Sequence, residues 1–451
     1  MKKVCISFFL CICLTIAQIS AHATQQINFA GVTTSSRAYQ AFKKTNPDVN
    51  ATAVLNPYQT TTELINALLT HGFPYDTFTV SSERFNINTL IDKGYCLNLS
   101  QYPAIKEAVS KMIPSIAALV TRNDAIFGVP YNCTIQYMTY NISAWNELNL
   151  SHQDIPNSFP ELLTFLEKWI TQVQNCEFDG YCVVGSFDEE LYCETSYSGY
   201  LVRLLMNEHI LQSAYAGQPL RFNSQSFKDN LERCLKIGKS LYELEPQPNQ
   251  GIPLFEFSSG MENLKQFISL RLSDDQPTLI PCAVNVCMVY ATTNFPELAA
   301  SFALEMLNNY EAITNNAYLA IDAAPVENPT YEEDVAFWEK NVKDMENKLK
   351  DEKLSILDIH DLELELERYK SVLAEVSDES NRYLIGPEQL ACYHTYQDKF
   401  VIQLPNIFLS RDGEEKNIAS LRDRYVCGQI SADQFIAKLD MTAAMLEMEN
   451  N

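Results

Sequence analysis

The sequence predicts an α/β fold, and three observations support this. Short apolar segments typical of strands alternate with segments whose apolar residues recur at helical spacing. The first three predicted helices end at Asn46-Pro47, Gly72 and Gly94, which are residues that stop helices. The chain of 451 residues, 46% of them hydrophobic, is long enough for two or three domains and apolar enough to fill their cores.

The N-terminal part of the chain predicts three strand–helix pairs in succession. The predicted strands are Gln26–Ala30, Val49–Leu55 and Asp76–Val80, and the predicted helices are Ser35–Lys44, Thr61–Thr70 and Phe85–Lys93. Such alternation is typical of a parallel, doubly wound sheet. Ligands of these sheets bind beyond the carboxyl ends of the strands, so we expect functional side chains in the loops that follow them.

The next segments continue the α/β pattern. A short strand is predicted to end at Gly128-Val129-Pro130, and an extended crossing covers Gln136–Tyr140. Further predicted elements are helices at Ser143–Leu148, Leu201–Ile210, Lys228–Leu241 and Pro296–Asn308, and a strand at Pro281–Tyr290.

Residues 330–381 differ in composition, being rich in Glu, Lys, Asp and Leu and without Gly or Pro after Pro329. Apolar residues recur at intervals of three and four at Val335, Trp338, Val342, Met345 and Leu349, and again at Leu362, Leu366, Tyr369 and Leu373. This spacing predicts two helices, joined near Asp351–Asp358, that form an inserted antiparallel hairpin. The hairpin is either a solvated structural insertion or a docking element for a partner.

The N-terminus predicts export. Lys2 and Lys3 precede the apolar run Val4–Ala17, and Ala21-His22-Ala23 is a small-x-small cleavage site, so we expect a signal peptide cleaved after Ala23. No clear lipobox precedes a cysteine there, which favours a periplasmic or extracellular protein over a lipid-anchored one. No other apolar run approaches the roughly 20 residues that span a bilayer.

Charge and cysteine content restrict the possible functions. The formal net charge is −24, and loss of Lys2 and Lys3 makes it −26, which disfavours binding to nucleic acid. Of 13 cysteines, three lie in the signal peptide and ten remain, an even number that predicts disulfides in an exported chain. The short spacing favours Cys176–Cys182 as a local pair.

The sequence predicts no enzyme. It contains no G-x-S-x-G, H-E-x-x-H, P-loop or G-x-G-x-x-G motif, and its histidines are not at metal-ligand spacing. The adjacent carboxylates of Glu189 and Glu190 would point apart, so they do not make an acid–base pair. We therefore expect no catalytic residues, no cofactor and no metal.

Several strings, in this order, carry a family resemblance. They are AFKKTNPDV (Ala41–Val49), LIDKGYCLNLS (Leu90–Ser100), GVPY with YNISAWNEL (residues 128–131 and 140–148), NFPELAASFALEML (Asn294–Leu307) and LRDRYVCGQISADQFIAKLD (Leu421–Asp440). The chain resembles extracellular solute-binding proteins of the maltose-binding-protein type, the capture subunits of ABC importers. The resemblance implies a two-lobed periplasmic-binding-protein fold, type II-like, acting as a monomer with a membrane permease, with carbohydrate as the commonest ligand.

The resemblance also implies where the chain divides. We expect a first lobe of residues 24–130 plus 286–329, a second lobe of residues 131–285 plus 382–451, and the hairpin insertion at residues 330–381. The small molecule would be held between the two lobes.

Thirteen residues are candidate ligand contacts by their place in the matched strings. Ser35 and Ser36 precede a helix, where simple N-capping is the alternative role. The others are Ser81, Ser82, Glu83 and Arg84 after the third strand, Tyr131, Asn132 and Asn285 on the crossings, and Phe187, Tyr197, Ser258 and Ser259 in the second lobe. Glu83 and Arg84 can bind hydroxyl groups by charge-assisted hydrogen bonds, or form a surface ion pair.

Two other functions remain open on the sequence alone. The same fold could serve a ligand-sensing or adhesive interaction protein, and the absence of a lipobox is compatible with that role. It could also bind a peptide, a polyamine or a metal, although polyamines require several carboxylates in the cleft.

Overall fold

The structure is a computed structural model, and it describes residues 26–70, 73–174, 180–184, 195–244, 251–258, 263–310, 317–350, 356–406, 408 and 415–450. The predicted signal peptide, Cys176, Phe187, Ser259 and the Glu189-Glu190 pair lie outside these residues. No helix in the described ranges combines the length and the apolar character needed to cross a membrane.

The strands form two main sheets and two short ribbons. The strands are β1 (Gln26–Ala30), β2 (Asn50–Val54), β3 (Thr77–Ser81), β4 (Thr121–Arg122), β5 (Ala125–Ile126), β6 (Val129–Ile135), β7 (Tyr137–Tyr140), β8 (Tyr181–Val184), β9 (Ile252–Ser258), β10 (Phe267–Ile268), β11 (Ile280–Val289), β12 (Val326–Glu327), β13 (Tyr383–Ile385) and β14 (Phe400–Ile402). The first sheet has the order β14-β11-β3-β1-β2 with β6 also paired to β11, and the second has the order β10-β7-β9-β8.

Helices cover both sheets and form the insertion. They are α1 (Arg37–Thr45), α2 (Thr61–Leu69), α3 (Ile87–Asp92), α4 (Pro103–Ser110), α5 (Pro114–Val120), α6 (Ile142–Glu147), α7 (Phe159–Gln174), α8 (Ser196–Tyr215), α9 (Gln225–Leu244), α10 (Pro296–Asn309), α11 (Tyr331–Lys348), α12 (Ile356–Val376), α13 (Pro387–Tyr396), α14 (Glu415–Val426) and α15 (Ala432–Asn450). The α/β class predicted from the sequence is confirmed.

The N-terminal strand–helix pairs form as their sequence dictates. The side chain of Ser36 caps α1, and Thr60 with Glu63 forms a capping box at the start of α2. Strands β1, β2 and β3 pair in parallel, with β1 in the middle. Phe29 of β1 stacks on Phe302 of α10 with ring centroids 3.7 Å apart, and both side chains are fully buried. Burial of these rings anchors the covering helix to the sheet.

The first sheet differs from the expected parallel sheet in one respect. Strand β11 runs antiparallel to β3 and to β6. Strand β11 has this direction because the chain reaches it from the second sheet, and not through a helix that covers the first sheet. A strand that returns in this way has the opposite direction to strands linked by right-handed crossovers.

Three connections join the two sheets, and all three meet at one end of β11. Strand β6 passes through the single residue Gln136 into β7 of the second sheet. The chain returns from β10 into β11, and it leaves again after β14, which pairs with residues Ile280–Cys282 of β11. Backbone bonds tie the connections together there, from Gln136 N–H to Pro281 O (3.3 Å) and from Gln403 N–H to Cys282 O (2.8 Å).

Each sheet has its own hydrophobic core, and the described core residues show where the lobes meet. Tyr137 packs in the first core and its neighbour Met138 in the second. Residues 383–402 differ from the expected division, because Ile385, Tyr393 and Phe400 are buried in the first core, not the second. Their placement follows from β14, which pairs with β11 and brings α13 with it. Tyr131, Ile135 and Val284, which the expected division also placed in the second lobe, are buried in the first core as well.

The insertion is a helical hairpin. Helices α11 and α12 contact each other through Trp338 and Tyr369, whose ring centroids are 5.6 Å apart, and through the ion pair Glu346–Lys370 at 3.1 Å. The base of the hairpin is the ribbon of β12 and β13, closed by a bond from Asn328 N–H to Arg382 O (2.9 Å). The hairpin is thus attached to the first lobe by a narrow two-stranded stalk.

Candidate functional site

The ends of two strands face each other along one edge of β11. Strand β3 ends at Ser81, which lies opposite Asn285, while β14 ends beside Cys282 on the same edge. Because β3 runs antiparallel to β11 and β14 runs parallel to it, their carboxyl ends point toward each other. The gap between them opens a hollow over the middle of β11, at the position where α/β sheets bind ligands.

Two adjoining cavities occupy this region, and they share Ser81, Glu83 and Asn285. The smaller, of about 370 Å³, is lined by Ser81, Glu83, Thr134, Gln136, Pro281, Ala283, Asn285 and Gln403. The larger, of about 590 Å³, is lined by Asn56, Tyr58, Gln59, Thr79, Val80, Ser81, Glu83, Arg84, Phe85, Tyr131 and Asn285. Both volumes include space that is open to solvent, so the cavities form an open hollow and not an enclosed pocket.

The alternation of side chains along the crossing strands makes the floor of the smaller cavity. Pro281, Ala283 and Asn285 project from one face of β11, and Thr134 projects from β6 beside Ala283. The residues between them, such as Cys282 and Val284, are buried on the other face. The floor therefore carries small side chains, hydroxyls and amides, while its underside belongs to the first core.

The larger cavity combines aromatic surface with amide groups. Tyr131 is almost fully buried, and its ring packs 4.6 Å from that of Tyr310. Asn56 is held by a bond from its side-chain amide to Thr79 O (3.3 Å), and its side-chain oxygen accepts from Tyr58 N–H (3.2 Å). Such fixed amides, set beside apolar ring surface, are the usual way to orient a polar organic ligand.

One pair of opposite charges lies at the cavity rim. Arg84 Nε lies 4.0 Å from a carboxylate oxygen of Glu83, and the two side chains are 57% and 35% exposed. A contact this long and this exposed leaves both groups able to bind a hydroxyl-rich ligand. The pair adds no net charge to the site.

Five of the candidate residues named from the sequence line the cavities. Ser81, Glu83 and Asn285 line both, and Arg84 and Tyr131 line the larger one. Asn132 lies directly opposite Asn285 on β6. The structure therefore brings together the candidates from the third strand and from the two crossings.

Other candidates have structural contacts. Ser82 is fully buried, where its hydroxyl accepts from Val284 N–H (3.0 Å) and joins β3 to β11. Ser36 accepts from Tyr39 N–H (3.2 Å) as a helix cap, and Ser35 Oγ lies 2.9 Å from Thr33 Oγ1. Tyr197 is 1% exposed within the second core. Ser258 ends β9 opposite Tyr137, next to the crossing.

Sequence reasoning missed several lining residues. Asn56, Tyr58 and Gln59 follow β2. Ligands of α/β sheets bind beyond the carboxyl ends of the strands, and this rule, which selected the residues after β3, also applies to those after β2. Thr134 and Gln136 could have been found from strand alternation with Asn132. Gln403 follows a three-residue strand that carries no clear sequence signal.

The donor set of the cavities is suited to hydrogen bonding. Of the described residues that line them, one is a carboxylate and one a guanidinium, and the other polar groups are amides, hydroxyls and backbone. Across the described ranges, no three His, Cys, Asp or Glu residues are grouped so as to hold a metal. The arrangement can bind a polar organic molecule by hydrogen bonds and ring contacts.

The fold and this site together define a two-lobed α/β protein with a cleft where the lobe connections meet. Residues 37–217 match the sequence model of one family, described as bacterial extracellular solute-binding protein. The resemblance predicted from the sequence is confirmed for that part of the chain. No match is found among curated protein sequences.

Solved structures of similar fold cover nearly the whole chain. A protein studied for xylan utilization by the thermophilic bacterium Caldanaerobius polysaccharolyticus is 14% identical, with 92% of this chain and 99% of the other covered and a TM-score of 0.52. The cyclic α-maltosyl-1,6-maltose binding protein of Arthrobacter globiformis is 12% identical, with coverage of 95% and 100% and a TM-score of 0.51.

A third similar structure is the GacH receptor of Streptomyces glaucescens, solved unliganded and with acarbose. It is 13% identical, with 94% of this chain and 98% of the receptor covered and a TM-score of 0.50. At these identities the likeness establishes the two-lobed periplasmic-binding-protein fold, as predicted from the sequence.

Proposed function

We propose that this protein captures a neutral, hydroxyl-rich small molecule, a carbohydrate, between its two lobes for delivery to an ABC importer. The single observation that carries the proposal is the hollow over β11, where Ser81, Glu83 and Asn285 meet beside the lobe connections. A ligand bound there touches the strands through which the lobes move relative to each other. Binding is thereby linked to lobe closure.

The composition of the lining supports a carbohydrate over the other ligand classes. Sugar hydroxyls both donate and accept, and amides such as Asn56, Gln136 and Asn285 can serve both roles. A polyamine would require several carboxylates, whereas Glu83 is the one carboxylate among the described lining residues and Arg84 lies beside it. A ferric ion would require clustered tyrosines together with His or several carboxylates, and the described lining has two tyrosines, Tyr58 and Tyr131, with one carboxylate and no His.

Comparison with known proteins adds support of a coarser kind. The family match concerns solute capture, and two of the similar structures are named for binding an oligosaccharide or acarbose. The proposal for this chain applies the same kind of ligand to its own cleft, on the basis of the residues that line it.

The test is a thermal-shift screen of the mature protein, followed by titration calorimetry. The panel contains monosaccharides, oligosaccharides, amino acids, peptides, polyamines and metal salts. A sugar present at a hundred times its dissociation constant should raise the free energy of unfolding by about 2.7 kcal/mol. A shift with a polyamine or a metal, and none with sugars, would reject the proposal.

Two substitutions test whether the ligand binds in this cleft. Asn285→Ala and Glu83→Gln each remove a group that lines both cavities. We expect the sugar affinity to fall by about 5-fold to 150-fold, since a lost charge-assisted or amide bond costs about 1–3 kcal/mol. The matched control is Glu107→Gln, because Glu107 is also in an ion pair, with Lys111, at an exposed site away from the cleft. Equal losses in the control and in Glu83→Gln would contradict the assigned cleft.

The proposal includes export, action as a monomer and presentation of the closed form to a permease. Support for export comes from the sequence of residues 1–23 and from the family match. Mass spectrometry of the secreted protein should find Thr24 at the N-terminus, and light scattering should give the mass of one chain. Disulfides, including the predicted Cys176–Cys182 pair, belong to the same prediction of an oxidising compartment.

A further inference from the structure

Three methionines are exposed on the C-terminal helix, and we call them the methionine stripe. Met441, Met445 and Met448 of α15 are 59%, 47% and 72% exposed. The other methionines that the structure describes are at most 5% exposed, and they are Met112, Met138, Met206, Met288, Met306 and Met345. Three exposed thioethers on one helix therefore distinguish α15 from the rest of the described chain.

The spacing of the methionine stripe explains its exposure. Its members follow each other at intervals of four and three residues, so they lie on one side of a helix with 3.6 residues per turn. Phe435, Leu439 and Ala443 lie on the opposite side of α15 and are buried in the second core. The stripe therefore faces outward because the other side of the same helix is held by the core.

Polar contacts beside the stripe fix the orientation of α15. Arg221 donates two hydrogen bonds to the Glu447 carboxylate, at 2.9 and 2.8 Å. The backbone N–H of Phe222 donates to Asp440 Oδ1 at 2.6 Å. These bonds and the buried side prevent the helix from turning about its axis, so the thioethers stay in contact with solvent. No described residue that lines the cavities belongs to α15.

We propose that the methionine stripe is a site of reversible oxidation, where peroxide forms methionine sulfoxides while the buried methionines stay reduced. A sulfoxide is polar, so it disrupts packing when it forms in a core. On the outward side of α15 it is hydrated and displaces no core side chain. The site is independent of which ligand the cleft holds, and it lets the protein react with oxidant without losing its fold.

The reaction needs hydrogen peroxide and no other reagent. A lone pair of the thioether sulfur attacks one peroxide oxygen, the O–O bond breaks and an S–O bond forms. The proton of the transferred oxygen passes to the departing oxygen, which leaves as water. Sulfur loses two electrons and peroxide gains them, so one thioether and one peroxide give one sulfoxide and one water. Methionine sulfoxide reductases reverse the change.

The experiment is treatment of the mature, folded protein with hydrogen peroxide, followed over time by tryptic peptide mapping and mass spectrometry. Cleavage at Lys and Arg gives peptide 439–451, with the whole stripe, and peptides 112–122, 123–168 and 204–221, each with one buried methionine. We expect peptide 439–451 to gain one, two and then three oxygen atoms. The buried methionines should react more than about 10-fold slower, because oxidant reaches them only when the fold opens. In urea this difference should disappear.

Two variants make the assignment specific. Combining Met441→Leu, Met445→Leu and Met448→Leu keeps an apolar surface and should abolish the rapid oxygen uptake. The matched control Met206→Leu removes one buried thioether of the second core and should leave the uptake unchanged.

The oxidised protein should melt at the temperature of the reduced protein, and reductases for both sulfoxide epimers should restore its mass. Equal rates at Met206 and in the stripe of the folded protein would overturn the proposal. Sulfoxides that the reductases leave in place, or a lower melting temperature after oxidation of the stripe alone, would overturn it as well.

Discussion

At the scale of single residues, the clearest unusual group is the carboxyl of Glu208 on α8. It is 8% exposed and accepts one hydrogen bond, from the Gln212 side-chain amide at 2.7 Å, which also donates to Pro277 O at 2.9 Å. Burial raises the pKa of Glu208 from 4.5 to about 7, and the bond from Gln212 opposes this only in part. The folded protein therefore holds a proton that the unfolded chain loses at lower pH.

This pKa sets the direction of a pH effect on stability. Well below pH 4.5 Glu208 is protonated in both states, so its favourable contribution to folding is complete. Between pH 4.5 and about 7 the unfolded chain ionises first, and the free energy of unfolding should fall by about 3 kcal/mol as pH rises. Urea unfolding at a series of pH values measures it.

The substitution Glu208→Gln should remove that dependence, because an amide of similar shape has no proton to lose. The matched control is Glu363→Gln on α12, an exposed carboxyl in the middle of a helix, which should leave the pH profile unchanged. A profile in Glu208→Gln that still falls between these pH values would show that another group carries the effect.

Neighbouring residues at the end of β3 show how far sequence reasoning reaches at this scale. The position of Ser81 and Ser82 after a strand was predictable, and both were named as ligand contacts. Strand alternation then separates them: Ser81 faces the cavity, and Ser82 is fully buried with its hydroxyl bonded to Val284. The face could not be assigned from sequence, because it depends on the register between β3 and β11, which are about 200 residues apart.

At the scale of secondary-structure elements, the strongly periodic segments were predictable and the short ones were not. Strand β1, helix α10 and the two hairpin helices lie within a few residues of their predicted bounds, because their apolar spacing is set locally. Strands β8, β9 and β14 were not predicted. Strand β14 has only three residues, too few to show a sequence pattern. It belongs to the first sheet because it pairs with β11.

The hairpin is an element whose independence can be tested. Residues 331–381 contain 16 acidic and 7 basic residues, and few of the side chains that the structure describes in this range are buried. At the base, Asn328 N–H lies 2.9 Å from Arg382 O, so the two ends of the insertion are already at the distance of paired strands. A two-residue Asn-Gly turn can therefore replace residues 329–381.

We expect that replacement to leave the rest of the fold and the sugar affinity unchanged, because the described cavity lining contains no residue of the hairpin. Calorimetry measures the affinity, and circular dichroism should lose helix in proportion to the residues removed. The control is the full chain with Asn-Gly in place of Asp351-Glu352, which alters only the predicted helix connection. An affinity loss in the shortened protein alone would mean that the hairpin supports the cleft.

At the scale of the whole molecule, the three connections make the lobes a hinged pair. They lie side by side, since β6 and β14 both pair with β11 near its first residues and Gln136 is the one residue between β6 and β7. Parallel connections of this kind restrict motion to a bend across them. Each lobe has a separate core, so it can move as a rigid body while the crossing strands bend.

This arrangement predicts that the ligand closes the molecule. A sugar bound over Ser81 and Asn285 gains further contacts only if the second lobe approaches, and a ligand shifts the equilibrium by the difference in its affinity for the two states. Small-angle X-ray scattering should show a smaller radius of gyration for the mature protein with saturating sugar than without it. A chain of this size has a radius of gyration of about 22 Å when compact, so a hinge motion of several ångströms is measurable.

The variant Asn285→Ala separates closure from simple occupancy. We expect this variant to close incompletely at a saturating sugar concentration, because Asn285 lies on β11, the strand that pairs with both β6 and β14 and so connects the ligand to the hinge. Complete closure of the saturated variant would mean that Asn285 contributes to affinity alone. Binding by calorimetry with no change of scattering in the unsubstituted protein would contradict the closing motion itself, and the sugar would then be held by the first lobe and the crossings alone.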